Sequence, residues 1–158
     1  MSNEQYKTVI YTDGSCIGNP GVGGWGAVLI TGDVIKELSG CEEQTTNNRM
    51  EMYACIAALE SCGVGDACLV VSDSQYVVNG VIKHSPSWRK RDGVFLNSKR
   101  KPIANSDLWI LLLAECDKRM VSFQWEAGHA GKGHNQTAHD LAYNEARDLE
   151  DKLCPLLK

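Results

Sequence analysis

Residues 67–72, Ala-Cys-Leu-Val-Val-Ser, form a nearly unbroken apolar run with no polar face. A strand with one wet face alternates; this run reads as a central strand covered on both faces. A sheet of that kind needs helices on both sides. Residues 6–13, 25–30, 34–40 and 120–125 read as further strands, with Thr31-Gly32-Asp33 joining the second and third as a hairpin. Gly14 to Gly24 reads as a turn-rich connection. Helices are expected over about 48–62, 74–84, from a cap at Ser106 or Asp107, and over about 135–151, with Gly63 stopping the first. The expected class is α/β: a mixed five-stranded sheet, order βββαβαααβα, with helices on both faces. At 158 residues the chain reads as one domain, 1–158, large enough to bury about two-thirds of its unfolded surface.

Three acids stand where a charge is costly. Asp13 ends the run Tyr6 to Thr12, and Asp73 ends the run 67–72. Both therefore stand at carboxyl ends of strands, where open α/β sheets build their sites. Glu51 opens the helix from about 48. Its neighbours at helical spacing are Ala54, Cys55, Ala58, Leu59 and Cys62, so it shares the apolar stripe. One such acid is ordinarily a cap or an ion-pair partner. Three that converge repel unless cations neutralise them.

The net charge of −4 hides an asymmetry. Between residues 83 and 101, Lys83, Arg89, Lys90, Arg91, Lys99, Arg100 and Lys101 face one acid, Asp92; this local +6 leaves −10 elsewhere. Trp88 and Phe95 are interleaved with these charges, which favours a polyanion footprint over a solvated loop. Seven cysteines without a C-x-x-C pair argue against a disulfide framework or a zinc site, and for a reducing, cytoplasmic setting. Cys55, Cys62 and Cys116 read as buried thiols. The longest apolar stretch, Leu108 to Ala114, is too short to span a bilayer, and the N-terminus has no secretory pattern. No feature demands more than a monomer. Gly21, Gly23 and Gly26 match G-x-G-x-x-G, but a strand-like segment follows rather than a helix, so they read as turn and bulge positions.

Thr12-Asp13-Gly14-Ser15-Cys16, Gly18-Asn19-Pro20-Gly21, Thr45-Thr46-Asn47-Asn48-Arg49-Met50-Glu51, Ser72-Asp73-Ser74-Gln75-Tyr76-Val77 and Gly128-His129-Ala130-Gly131 occur in that order. In these five motifs the chain resembles type 1 ribonuclease H over nearly its whole length. The basic segment falls where bacterial members carry a positively charged handle. The resemblance implies a ribonuclease-H-like fold and hydrolysis of the RNA strand of an RNA–DNA hybrid, giving 5′-phosphate and 3′-hydroxyl ends. It implies two Mg²⁺ ions, held by Asp13, Glu51 and Asp73, with Mn²⁺ as a substitute; hard oxygen ligands suit Mg²⁺. His129 matches a loop histidine that moves protons or helps product leave. Cys16, Asn19, Thr46, Asn47, Asn48 and Gln75 match positions facing the minor groove. Locally, Thr46 and Asn47 also suit helix capping, and Cys16 suits a buried small thiol. Trp88 would stack on a deoxyribose. Arg89, Lys90, Arg91, Lys99, Arg100 and Lys101 would meet phosphates.

One position departs from the family. Members usually carry a fourth acid near the start of the last helix, and the alignment places His139 there. Asp140 is its neighbour, but His139 shares a helical face with Ala142, Tyr143 and Ala146. Either His139 replaces the acid as a metal ligand, or it packs beside a site of three acids. An imidazole removes one negative charge and offers a nitrogen that Mn²⁺ tolerates better than Mg²⁺. Two other readings stand beside the hybrid-specific endoribonuclease: a superfamily nuclease with another substrate, and a hybrid-binding protein with weak catalysis. Cleavage of different substrates separates these readings.

Overall fold

A computed structural model describes residues 5–128 and 133–153. The chain runs through β1 (Thr8–Ile17), β2 (Gly21–Thr31), β3 (Val34–Thr45), α1 (Asn47–Glu60), β4 (Ala67–Ser72), α2 (Gln75–Asn79), β5 (Arg89–Arg91), β6 (Val94–Leu96), α3 (Ser106–Asp117), β7 (Met120–Trp125) and α4 (His134–Leu153). Five strands form one mixed sheet in the order β3-β2-β1-β4-β7. β2 is antiparallel to both β1 and β3, while β4 runs parallel to β1 and to β7. Of the helical segments expected between the fourth and last strands, α2 and α3 are α-helical. The path between them begins with a π-helical stretch, Gly80–His84, and a 3₁₀ turn, Ser85–Ser87.

The apolar run is buried as its pattern requires. Cys68 and Val70 join Ile10, Ala27 and Leu29 beneath α1 and α3, in the main core with Met52, Leu59, Leu108, Trp109 and Leu112. Leu69 and Val71 face the other way and pack with Val9, Tyr6 and Tyr11. On that second face α4 lies across β1 and β2 and reaches β3. Its small residues Ala138, Ala142 and Ala146 are fully buried.

The region 14–24 departs from expectation. β1 continues to Ile17 and β2 begins at Gly21, so only a short turn around Gly18 and Pro20 remains. The register stays regular through Ile17↔Val22, which extends both strands. The glycines here serve close packing: a Cβ on Gly26 would lie 2.5 Å from the Ala138 carbonyl oxygen, and one on Gly14 would lie 2.5 Å from the Glu51 nitrogen. The expected bulge is present, with a register shift between Gly21 and Gly23. The basic segment also gains structure. β5 and β6 form a two-stranded ribbon pairing Arg89↔Leu96 to Arg91↔Val94, closed by Asp92 and Gly93 at φ 51° and 78°.

Candidate active site

β1 and β4 run in parallel only as far as Thr12↔Ser72. Beyond that point they part, and the next residue of each is an acid. Asp73 follows the end of β4, as expected. Asp13 is not the end of its strand, because β1 continues against β2; it is where β1 loses β4 as a neighbour.

Glu51 reaches the same point from the first turns of α1. Thr46 caps that helix, its hydroxyl accepting from the Arg49 nitrogen at 3.2 Å. Gly14 lets the helix start approach β1 closely. Carboxylate oxygens of Asp13, Glu51 and Asp73 consequently lie within 4.8 Å of one another, the one potential metal cluster among the described residues. Asp13 is 7% exposed and Glu51 9%, so water screens neither well, whereas Asp73, expected at an equally costly position, is exposed because it lies just past the end of β4. The Gly14 nitrogen donates to Asp13 Oδ1 at 2.9 Å. Glu51 Oε2 is buried with no hydrogen-bond partner among the described residues. Burial holds the Glu51 carboxyl well above its ordinary range, and the charges of Asp13 and Asp73 push it further the same way. Such a cluster is unfavourable alone and favourable around a divalent cation.

His139, on α4, stands at this cluster. Its Nδ1 lies 2.9 Å from Asp13 Oδ2. Asp140 instead accepts from Gln136, one turn earlier on α4, at 2.8 Å. Asp13, Asp73 and His139 line a hollow of about 450 Å³ together with Trp125, Asn135 and Gln136.

The chain matches the RNase H family over residues 5–147. It belongs to the ribonuclease H family. A ribonuclease H from Alcanivorax borkumensis is 42% identical over 146 residues, covering 92% of this chain and 95% of the relative. One from Rhodopseudomonas palustris is 46% identical over 139 residues, 88% of each chain. Among solved structures, LC9-RNase H1, a type 1 RNase H with the type 2 active-site motif, superposes with a TM-score of 0.74 at 26% identity, covering 91% of this chain and 74% of that one. LC11-RNase H1, solved with an RNA/DNA hybrid, superposes at 0.69 and 23% identity, over 90% of this chain and 99% of that one, a likeness of fold. As a ribonuclease H this protein is a metal-dependent nuclease acting on the RNA strand of RNA–DNA hybrids.

The remaining candidate residues of this ribonuclease H divide by position. Asn19 Oδ1 accepts from the Asn47 nitrogen at 3.0 Å, tying the β1–β2 turn to the start of α1, and Asn47 and Asn48 are exposed beside it. Cys16 is half-buried, its thiol donating to the Thr45 carbonyl at 3.4 Å, and burial pushes that thiol's pKa up. Gln75 and Trp88 line a second hollow of about 300 Å³ with Tyr76 and Trp109. Trp88 packs edge-on against Trp109, 5.2 Å between centroids, and beside Phe95 at 5.6 Å. Arg89, Lys90, Arg91, Lys99, Arg100 and Lys101 are all exposed on or beside the β5–β6 ribbon. His129 lies outside the described residues.

Sequence reasoning missed three supports. The Trp125 indole nitrogen donates to the Asp73 carbonyl at 3.0 Å. A Cβ on Gly128 would lie 2.5 Å from Asp73 Oδ2. Arg49 forms a two-bond pair with Asp107, at 3.0 and 2.7 Å, and donates to Asn105 at 3.2 Å, joining α1 to α3. The only signal for Trp125 is the parallel register Ser72↔Trp125, which a single sequence does not reveal.

Proposed function

We propose that Asp13, Glu51 and Asp73 hold two Mg²⁺ ions, with Mn²⁺ as a working substitute, and that His139 stands in for the usual fourth acid. The buried, partnerless Oε2 of Glu51 within a cluster of three carboxylates carries this reading. When bound, such ions lower the pKa of an attacking water and stabilise the leaving 3′-oxygen. Asp13 would be the carboxylate shared between the ions; its Oδ1 accepts from the Gly14 nitrogen and its Oδ2 lies against His139 Nδ1. His139 offers the site a ring nitrogen where an acid would add a charge. His129 completes the catalytic set as the group that moves a proton or helps product leave. The products carry 5′-phosphate and 3′-hydroxyl ends.

Binding is spread along the surface. Cys16, Asn19, Thr46, Asn47, Asn48 and Gln75 read the minor groove. Asn and Gln serve there because each offers both donor and acceptor to base edges and 2′-hydroxyls. Trp88 stacks on a deoxyribose with its ring already held by Trp109 and Phe95. The six exposed basic residues of the ribbon meet DNA phosphates, which positions the duplex without reading its sequence. No described helix is long and apolar enough to cross a membrane. We place the protein in the cytoplasm as a monomer, with one ribonuclease H domain over 1–158.

The test is a panel of end-labelled matched hybrid, double-stranded RNA, single-stranded RNA and DNA, in Mg²⁺ and in Mn²⁺. Cleavage of the RNA strand of the hybrid alone supports the proposal. Cleavage of another member of the panel points to the superfamily alternative, and tight hybrid binding without cleavage in either metal points to a binding protein.

A further inference from the structure

His139 is 52% exposed at its side chain, so the core does not hold its ring. An exposed imidazole left to itself changes rotamer on the picosecond-to-nanosecond scale. Two residues on the same face of α4 hold this one. Tyr143, one turn on, stacks against it with 6.3 Å between centroids and only 14° between planes. Arg147, one turn further, donates to the Tyr143 hydroxyl at 2.7 Å and lies over the Tyr143 ring, 5.6 Å from its centroid. Asp13, His139, Tyr143 and Arg147 thus form one continuous row, from the acid cluster out along the helix.

We propose that Tyr143 and Arg147 are positioning residues for His139: the stacked phenol fixes the imidazole plane, and the guanidinium fixes the phenol, so that Nδ1 stays against Asp13 Oδ2 at the edge of the acid cluster. The proposal rests on His139 being the fourth member of that site. The chemistry of the row supports it. A carboxylate at position 139 would gain nothing from a parallel ring at position 143, whereas an imidazole gains a fixed plane. The direction of the row matters too. The nitrogen nearest Asp13 is Nδ1, so the ring needs both the correct rotamer and the correct face. The stack restricts the first, and the contact with Asp13 selects the second. Hydrogen-bonded outer partners that orient a metal-ligating histidine are worth roughly 10- to 100-fold in metal affinity, and a stacked ring that does the same orienting is expected to lie at the low end of that range.

The test is a coupling experiment on the full chain, read by calorimetric titration of Mn²⁺ and not by turnover. Tyr143→Leu keeps a good helix former and removes the stack; Tyr143→Phe keeps the stack and the ring under Arg147 and removes the hydroxyl that Arg147 bonds. Each is made in the natural chain and in His139→Asp, and His139→Ala is measured alone. Unfolding temperature and helix content are checked for every variant. Tyr143→Leu is expected to weaken Mn²⁺ binding about tenfold in the natural chain and less than twofold in His139→Asp. Tyr143→Phe should fall between. Equal losses in the two backgrounds, or no loss in either, overturn the positioning role while leaving His139 as ligand if His139→Ala still weakens binding. An unchanged affinity in His139→Ala overturns the ligand reading itself, and the positioning role with it.

Discussion

The acid cluster and the basic ribbon handle charge in opposite ways. At the cluster, Asp13 and Glu51 are buried within regular elements, and the close approach of α1 to β1 fixes their separation. On the ribbon every Lys and Arg named above is exposed, and the structure goes into anchoring it through Trp88 and Phe95 against Trp109. Chemistry on a phosphodiester needs atoms at set positions, and at Asp13 and Glu51 packing supplies them. Holding a duplex by its phosphates needs charge density over a surface, and tolerates movement. One region spends stability on position; the other keeps its charges hydrated.

The sharpest way to break that comparison is to change position without changing charge. Asp13→Glu keeps the carboxylate and shifts it by one methylene. It should lower the cleavage rate by on the order of a hundredfold or more, approaching the roughly thousandfold loss expected of Asp13→Asn. Arg89→Lys, Arg91→Lys and Arg100→Lys together should leave single-turnover cleavage at saturating enzyme within about twofold, because phosphates are met here as charge. Similar losses in both sets would mean that the ribbon is as position-dependent as the cluster.

A second change leaves every charge in place. Gly26→Ala puts a methyl group against the Ala138 carbonyl, one residue before His139. Overpacking there should cost about 1–3 kcal/mol in urea unfolding and lower activity through displacement of α4. Unchanged stability would show that α4 is not seated as tightly on β2 as its buried alanines indicate.

The ribbon is predicted to behave additively. Replacing Arg89, Lys90 and Arg91 with Ala should weaken hybrid binding and reduce the salt slope, log Kd against log salt, by roughly 2 to 3. Filter binding at several salt concentrations measures this. A steep loss with an unchanged slope would place the effect in folding of the ribbon.

Much of this division is visible in the sequence, and its failures are physical. The run 67–72 announced a strand buried on both faces, and Glu51 on an apolar stripe announced a buried acid. Gly14 to Gly24 looked like a breaker because glycine ordinarily weakens strands. Its role here, admitting α1 and α4 close to the backbone, depends on partners distant in sequence. Asp92-Gly93 is a strong hairpin signal that the surrounding charges concealed. Trp125 reaches Asp73 only through the parallel register of β4 and β7, which local pattern does not encode.

The smallest expected effect lies between the two regions. Arg49 and Asp107 tie α1 to α3, but their side chains are 26% and 63% exposed, so screening limits the pair to less than about 1 kcal/mol. The Arg49 guanidinium lowers the Asp107 carboxyl below its ordinary 3.8. Its contribution is therefore present above that value and lost as pH falls through the folded one. The stability difference between the natural chain and Asp107→Asn should shrink on acidification below about pH 4, measured by urea unfolding. A difference that grows there would contradict the pairing.

The most direct measurement is the unfolding temperature of the natural chain and of Glu51→Gln as Mg²⁺ is raised. Metal-free, the variant should be the more stable, since it no longer buries an acid against Asp13 and Asp73. With Mg²⁺ the natural chain should climb past it while the variant stays nearly level, because only a ligand that binds the folded state stabilises it. Parallel curves for the two proteins, or a natural chain indifferent to Mg²⁺, would contradict a cation site at Asp13, Glu51 and Asp73.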